Sequence, residues 1–424
     1  MTDWRNWSGS VRCADANLLQ PTDVEELQAM VRNAPGPLRP LGAGHSFAPL
    51  VPTAGTIIAL DWMNGLIAHD PEACTATFGA GTRLADLAQR LHAHGQALVN
   101  MGDIDRQTIG GALGTATHGT GMTLGAYHTF IERVDFVDGR GGIRAFRAGH
   151  DDEMIRATGV SLGVFGIQTA VTLRNLPTYR LRKRRYALSI GDMLANFHSM
   201  MGGSRSAEFY FVPHSGHAVF IACDMTDEQP TGRPDQDDEA ALATLKMLRN
   251  RTRWLPWMRR ALIRNALARL PRQDFVEEWL NVYTSERRTR FNEMEYHLPL
   301  EDGPKAVAEI ITLTEKQFPN VYFPIEVRTV AADDFWLSPF YQRPTCSIAI
   351  HHDAQDDPNL FFAAAERIFR RYGGRPHWGK IHSLTAEDLS RLYPRWKDAL
   401  EVRRMTDPDN RFVTPYIAKL LGIE

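Results

Sequence analysis

The sequence lacks the features that would set it outside ordinary globular proteins. No stretch approaches the run of about 18 apolar residues that crosses a membrane. The opening MTDWRNWSGS has no apolar core of a secretion signal. Cysteine is scarce. Cys13, Cys74, Cys223 and Cys346 stand far apart, which argues against both a C-x-x-C metal site and a secreted disulfide framework. No metal ion is expected, and the expected compartment is reducing and cytoplasmic. Net charge is only −2, so no nucleic-acid partner is expected. No repeat at solenoid periods is visible. No G-x-G-x-x-G joins a strand to a helix and no Walker motif occurs, which leaves a nicotinamide Rossmann site unsupported.

What is present is length and apolar content for a substantial core. At roughly 100–200 residues per domain, the 424 residues predict two domains. The first 175 alternate between helix and strand patterns. PTDVEELQAMVRNA reads as a helix, with Thr22 and Glu25 as a capping box and Val24, Leu27 and Val31 at helical spacing. GTIIALD and ACTATFGAG read as strands, RLADLAQRLHAHG as an amphipathic helix, and ERVDFVDGRGGIRAF as a hairpin with a glycine turn. Past Pro177 the texture changes. RLRKRRYAL predicts a solvated edge strand, AEFYFVPHS, HAVFIACDM, YFPIEVRTVAA and TCSIAIHHD further strands, and NLFFAAAERIFRRYGG a helix closed by glycine. Residues 224–239 hold seven acids, two prolines and a glycine, and predict a mobile loop.

Three stretches of small residues stand out. PLGAGHSFAP places Gly42, Ala43 and Gly44 directly before His45 and Ser46. QTIGGALGTATHGTG is built mostly of glycine, threonine and alanine. SLGVFGI opens a strand through Gly163 and Gly166. Small residues let backbone approach a ligand and permit positive φ, and successive free N–H groups form anion-binding nests. Three such loops in one domain point to a long ligand lying across them.

In this order and at these separations the three loops resemble the FAD domain of the vanillyl-alcohol-oxidase superfamily. With PIEVRTVAADDFWLSP, RPHWGKIH and DPDNRFVTPY, the chain resembles the aldonolactone oxidases and the related alditol oxidases nearly end to end. The resemblance implies a two-domain α+β fold. An FAD-binding domain would cover 1–176, an antiparallel-sheet cap domain 177–375, and a return to the first domain 376–424. It implies FAD joined covalently through His45. Gly42, Ala43, Gly44, Ser46, Gly110, Gly111, Thr115, Thr117, His118, Gly119, Thr120, Gly163, Gly166 and Ile167 would bind it.

Hydride removal from a carbinol carbon needs an acceptor for the hydroxyl proton and fixed cations for the charge that arrives on the flavin. Glu326 and Arg328 lie two apart on a predicted strand and so share a face. The resemblance gives Glu326 the reacting hydroxyl and makes Arg328 and Lys380 the cations. Alternation turns His351 rather than His352 inward with Ser347 and Ala349, as a substrate-side candidate. Tyr296 is a candidate cavity wall, and Trp378 a packing residue. The expected substrate is a small polyhydroxy compound, an aldono-1,4-lactone such as L-gulono- or D-arabinono-1,4-lactone, oxidised at C2. Two other readings are an alditol oxidised at C1 and a flavin binder without activity. The alditol-oxidising relatives carry serine where this chain has Ala112, a substrate-side position, and a threonine near His351.

In this family a small residue beside the flavin gates oxygen. Gly110–Gly111 stands there and is the least obstructive pair, so oxygen is the expected acceptor, with a quinone or cytochrome as the alternative. Residues 245–272 carry nine basic side chains, no acid and two tryptophans. Leu262, Ala266 and Leu270 suggest an apolar stripe flanked by Arg259, Arg260 and Arg264, a pattern that also fits weak peripheral contact with a membrane.

Overall fold

The computed structural model describes residues 2–234, 238–252, 254–284 and 287–423. The strands β1 (Thr2–Arg5), β2 (Arg12–Leu19), β3 (Leu38–Leu41) and β4 (Thr56–Ala59) form one sheet in the order β1-β2-β4-β3, with β2, β4 and β3 parallel. A second, antiparallel sheet contains β5 (Leu66–Asp70), β6 (Thr75–Gly79), β8 (Ile131–Val137), β9 (Ile143–Arg147) and β10 (Ile167–Arg174), in the order β5-β6-β10-β8-β9. Two-residue strands β7 (Gln96–Ala97) and β11 (Leu176–Pro177) pair beside it.

The rest of the strands form one eight-stranded antiparallel sheet. They are β12 (Arg180–Ser189), β13 (Ser206–Val212), β14 (His217–Thr226), β15 (Gln273–Glu278), β16 (Phe291–Pro299), β17 (Ile325–Val330), β18 (Thr345–Asp353) and β19 (Arg375–Pro376). Their order is β15-β12-β14-β13-β17-β18-β16-β19. One face packs on helices Gly303–Gln317 and Asn359–Arg371 through Met294, Tyr296, Leu298, Val327 and Ile348. The other carries charged residues, Glu208, Glu293, Glu295, Glu326 and Arg328 among them. The C-terminal segment closes onto the first sheets: Asp407 accepts from the Arg411 and Phe412 amides, Gly139 donates to the Thr406 carbonyl, and Leu38 to that of Arg411.

Several local expectations are corrected. Asp23, not Thr22, caps the first helix. It accepts from the Glu26 amide, while the Glu26 carboxylate reaches back to Thr22. The basic strand RLRKRRYAL is β12, which is interior because β15 pairs along its outer side. Its charges are met by Asp224, Glu228, Asp238 and Asp274. The acidic stretch 224–239 thus starts inside β14 and ends in the helix Asp238–Arg251, and Asp224, Glu228 and Asp238 pair with arginines of β12; residues 235–237 lie outside the described residues. Pro256 opens a second helix, Pro256–Ala268, in which Arg259 and Ile263 face inward and Leu262 faces solvent. The stripe on the protein is therefore Ile263 with Leu267 and Leu270. Arg253 lies outside the described residues.

Candidate active site

The three small-residue loops converge on one groove of about 110 Å³. Gly42, Ala43, Gly44, His45 and Ser46 line it, with Gly110, Gly111 and Thr115 from the second loop and Gly163 and Gly166 from the third. The reason for glycine is local. A Cβ on Gly42 would stand 2.1 Å from Thr108 Oγ1, and Gly163 combines φ +64° with a Cβ position 2.6 Å from Pro40. Buried Arg39 pins the third loop, donating to the carbonyls of Leu162 (2.6 Å) and Gly163 (2.9 Å) and also to Leu50 and Phe412. Trp7 stacks on His45 at 5.8 Å, and its amide donates to the Gly44 carbonyl. Burial, followed by Arg83, Lys380 and Arg106, pushes the His45 imidazole down to about 4, so at neutral pH its ring is uncharged.

A second cavity of about 410 Å³ lies over the eight-stranded sheet, and Gln107 borders both spaces. Strand alternation builds its floor. On central β17, Glu326 and Arg328 point into it while Ile325 and Val327 face the core. Register sets Glu326 beside Tyr210 of β13, whose hydroxyl donates to Glu326 Oε1 at 3.0 Å. Arg328 pairs with Glu326, with Glu208 at 2.8 Å and with Asp103 at 3.3 Å, and Arg287 holds Asp103 at 2.8 Å. Burial pushes the Glu326 carboxyl up to about 8, helped by Asp103, Glu208 and Glu293 and opposed by Arg328.

Beyond β18, strand β16 turns Glu293, Glu295 and His297 to the same side. Lys380 Nζ meets Glu293 at 2.5 Å, and Glu293 with Glu295 keeps it an ammonium despite burial. His118 places Nε2 2.8 Å from Glu295 and Nδ1 2.7 Å from the Gly119 carbonyl, so both ring nitrogens face acceptors. The ligand atoms of His118, Glu295 and His297 lie within 4.8 Å of one another, and Glu295 also accepts from Ser347. The segment 377–381 is stitched to β16 by amides of His377 and Ile381. Gly379 accepts from the Phe47 amide at 2.7 Å, and a Cβ there would stand 3.2 Å from Ser46 Oγ. This contact joins the Lys380 loop to the His45 loop, and so the catalytic-type cavity to the groove.

Two family models match the chain: an FAD-binding domain over residues 16–147 and D-arabinono-1,4-lactone oxidase over 171–420. An L-gulono-1,4-lactone dehydrogenase of Mycobacterium tuberculosis is 32% identical, with 99% of each chain covered. The chain belongs to the D-arabinono-1,4-lactone oxidase family. It is an FAD-linked oxidoreductase acting on CH–OH groups. L-gulonolactone oxidase of Bos taurus (29% identical) and an alditol oxidase of Streptomyces (26%) are also similar, each over 98% of both chains. Among solved structures, a cholesterol oxidase from B. sterolicum shares the fold at TM-score 0.79 and 16% identity, covering 99% of this chain and 96% of its own. The glycine cradle fits FAD. The glycines let the three loops close on one another around the groove, since a Cβ on Gly42, Gly110 or Gly163 would strike Thr108, Ala80 or Pro40, and Gln107 borders both this groove and the cavity that holds the Glu326–Arg328 pair.

Not every residue expected at the site of this lactone oxidase-family protein lines a cavity. Thr117, His118, His351 and Lys380 join Glu326 and Arg328 in the larger one. Ala112 is fully buried in the core, on the inner side of the short helix Ile109–Gly114. Gly119 packs against Asn100 and Met101, Thr120 ties Ala207 to Thr329, and Ile167, the first residue of β10, is buried in the core. Tyr296 points away from the cavity, donating to Glu366 and stacking on Phe369, because the alternate residues Glu293 and Glu295 take the cavity face. Trp378 packs on Tyr393 and Trp396. Sequence reasoning missed Trp7, Asp103, Glu208, Tyr210, Arg287, Glu293, Glu295 and His377. The alternation in AEFYF and NEMEYH held a signal for four of them.

Proposed function

We propose that this chain oxidises an aldono-1,4-lactone, of the L-gulono or D-arabinono class, at the C2 carbinol. The observation that carries the reading is the buried Glu326–Arg328 pair facing a cavity that abuts the glycine groove. FAD supplies the hydride acceptor. Ionised Glu326 accepts the hydrogen bond of the reacting hydroxyl and then its proton. Arg328 cannot lose its charge there. It holds Glu326 in place and leaves donors for the lactone oxygens. Tyr210 fixes the carboxylate from the other side. Lys380, on the loop that touches the His45 loop, keeps a positive charge that would offset the negative charge a bound FAD takes up. Walls such as Phe291 and Phe323 exclude water. The test is an anaerobic flavin-bleaching screen. L-gulono-1,4-lactone should bleach the flavin, and xylitol should bleach it more slowly. Faster bleaching by xylitol would make the protein an alditol oxidase.

The same reading includes a covalent bond from His45 to the flavin and oxygen as acceptor. An uncharged imidazole in the groove supports the first, and Gly110–Gly111 the second. No described helix is long and apolar enough to cross a membrane. Weak peripheral contact is supported by Trp254 and Trp257, 86% and 69% exposed, next to exposed Arg260 and Arg264.

A further inference from the structure

The cavity reaches further than the chemistry at Glu326 requires, and its polarity changes along its length. On β13, Glu208, Tyr210 and Val212 alternate onto the cavity face. The first two serve the Arg328–Glu326 pair, and Val212 is apolar. On β14, Ile221 and Val219 sit opposite Glu208 and Tyr210 and extend the apolar floor. The roof is the helix pair Asp238–Arg251 and Pro256–Ala268. Leu242, Leu245 and Leu248 recur at helical spacing on the first, yet none of its side chains is fully buried. Leu245 and Leu248 pack only in part on Val212, Val219 and Ile263, and with Leu242, Ile263 and Leu267 they also line the cavity. A sugar lactone or alditol bears oxygen on nearly every carbon and gains nothing from such walls.

We propose that the cavity takes an amphipathic substrate. The sugar-derived head sits at Glu326 and Arg328, and a neutral hydrocarbon substituent on it lies between β13–β14 and the two helices. This rests on the function proposed above. The strand order decides the direction: β17 separates the Lys380 end from β13 and β14, so a substituent pointing into the apolar arm points away from the flavin side. The cations at the arm's end are engaged, which argues for a neutral tail. Lys183 donates to the Val282 carbonyl, Arg185 pairs with Asp238, and Arg233 donates to the carbonyls of Asn281 and Thr284.

The test compares unsubstituted L-gulono-1,4-lactone with its 6-O-ethyl, butyl and octyl ethers on the FAD-loaded enzyme. KM should fall by about tenfold or more from ethyl to octyl, with kcat changing less. Binding of the ethers to the Glu326→Gln holoenzyme, followed calorimetrically without turnover, should show the same gradient. Leu245→Asp and, separately, Leu267→Asp should bring the octyl-to-ethyl ratio close to one. Oxidation of the unsubstituted lactone with no chain-length gradient in KM or binding would overturn the inference and leave the proposed function standing. If neither the lactone nor any ether is oxidised, the functional reading itself fails. A gradient that appears only with tailed quinone acceptors would assign the arm to the acceptor and overturn the inference as well.

Discussion

At Glu326 a carboxyl group stands among the carboxylates Asp103, Glu208 and Glu293, with Arg287, Arg328 and Lys380 as the nearby cations. Burial is the main cost of ionising it, Arg328 opposes the rise and the three neighbouring acids add to it, so Glu326 is pushed up to about 8. Only the ionised form accepts the hydroxyl proton. kcat/KM for the lactone should therefore be low at pH 6, rise through an inflection near that value, and level off above it. Tyr210→Phe removes a hydrogen bond to the charged form and should move the inflection to higher pH. A profile flat from pH 6 to 9 would remove Glu326 from the base role. Glu326→Gln and Arg328→Ala should each cut turnover by about 100–1,000-fold while circular dichroism shows the fold retained. Losses under about fivefold would return the pair to a structural role. His45 makes a separate residue-scale prediction. FAD should stay with acid-precipitated protein and appear on the tryptic peptide containing His45, and His45→Ala should release it. A colourless wild-type pellet would refute the bond.

At the scale of elements, the groove is three loops held at van der Waals distance by the absence of side chains. Gly42→Ala places a methyl group 2.1 Å from Thr108 Oγ1. Thr108 caps the helix that carries Gly110 and Gly111, so the clash must displace the second loop from the first. The variant should purify with much less FAD, and Thr108→Ala in the same chain should restore part of it. Equal flavin content in Gly42→Ala and wild type would show that the loops can separate without cost.

For the whole molecule, the helices Asp238–Arg251 and Pro256–Ala268 lie over the eight-stranded sheet at its β12–β14 end. Their basic outer face and exposed tryptophans predict co-sedimentation with anionic vesicles at low salt, weakened at physiological salt and absent with neutral lipid. Arg260→Gln with Arg264→Gln should abolish pelleting. Arg259 is unsuited to this test because it is buried and bonded to the Pro319 carbonyl. No pelleting at low salt would end the idea. The electron acceptor is also a property of the assembled site. Stopped-flow mixing of reduced enzyme with air-saturated buffer should reoxidise the flavin fast enough to support turnover. Slow reoxidation in air but fast reoxidation by a quinone or cytochrome would make the protein a dehydrogenase.

The sequence by itself determined the features that contiguous residues encode. Glycine loops reveal themselves because clustered small residues mark backbone that turns tightly or approaches a ligand, and three such loops occur in one domain. The two-residue period of a strand puts Glu326 with Arg328, and turns His351 rather than His352 to the cavity. The family likeness extended these local readings to the whole chain. Only the tertiary structure decided which strands are neighbours. Asp103 and Arg287, 184 positions apart, meet because the loop after β7 reaches the sheet beside β17, and no local pattern encodes that. The same ignorance of neighbours hid Tyr210 and Glu293, and it made an edge strand of β12, which β15 covers. It also set Tyr296 on the cavity wall, where the alternate residues Glu293 and Glu295 belong. Periodicity fixes the relative faces of residues within one strand. Which face meets the core, and which meets a cavity, depends on packing partners far away in the chain.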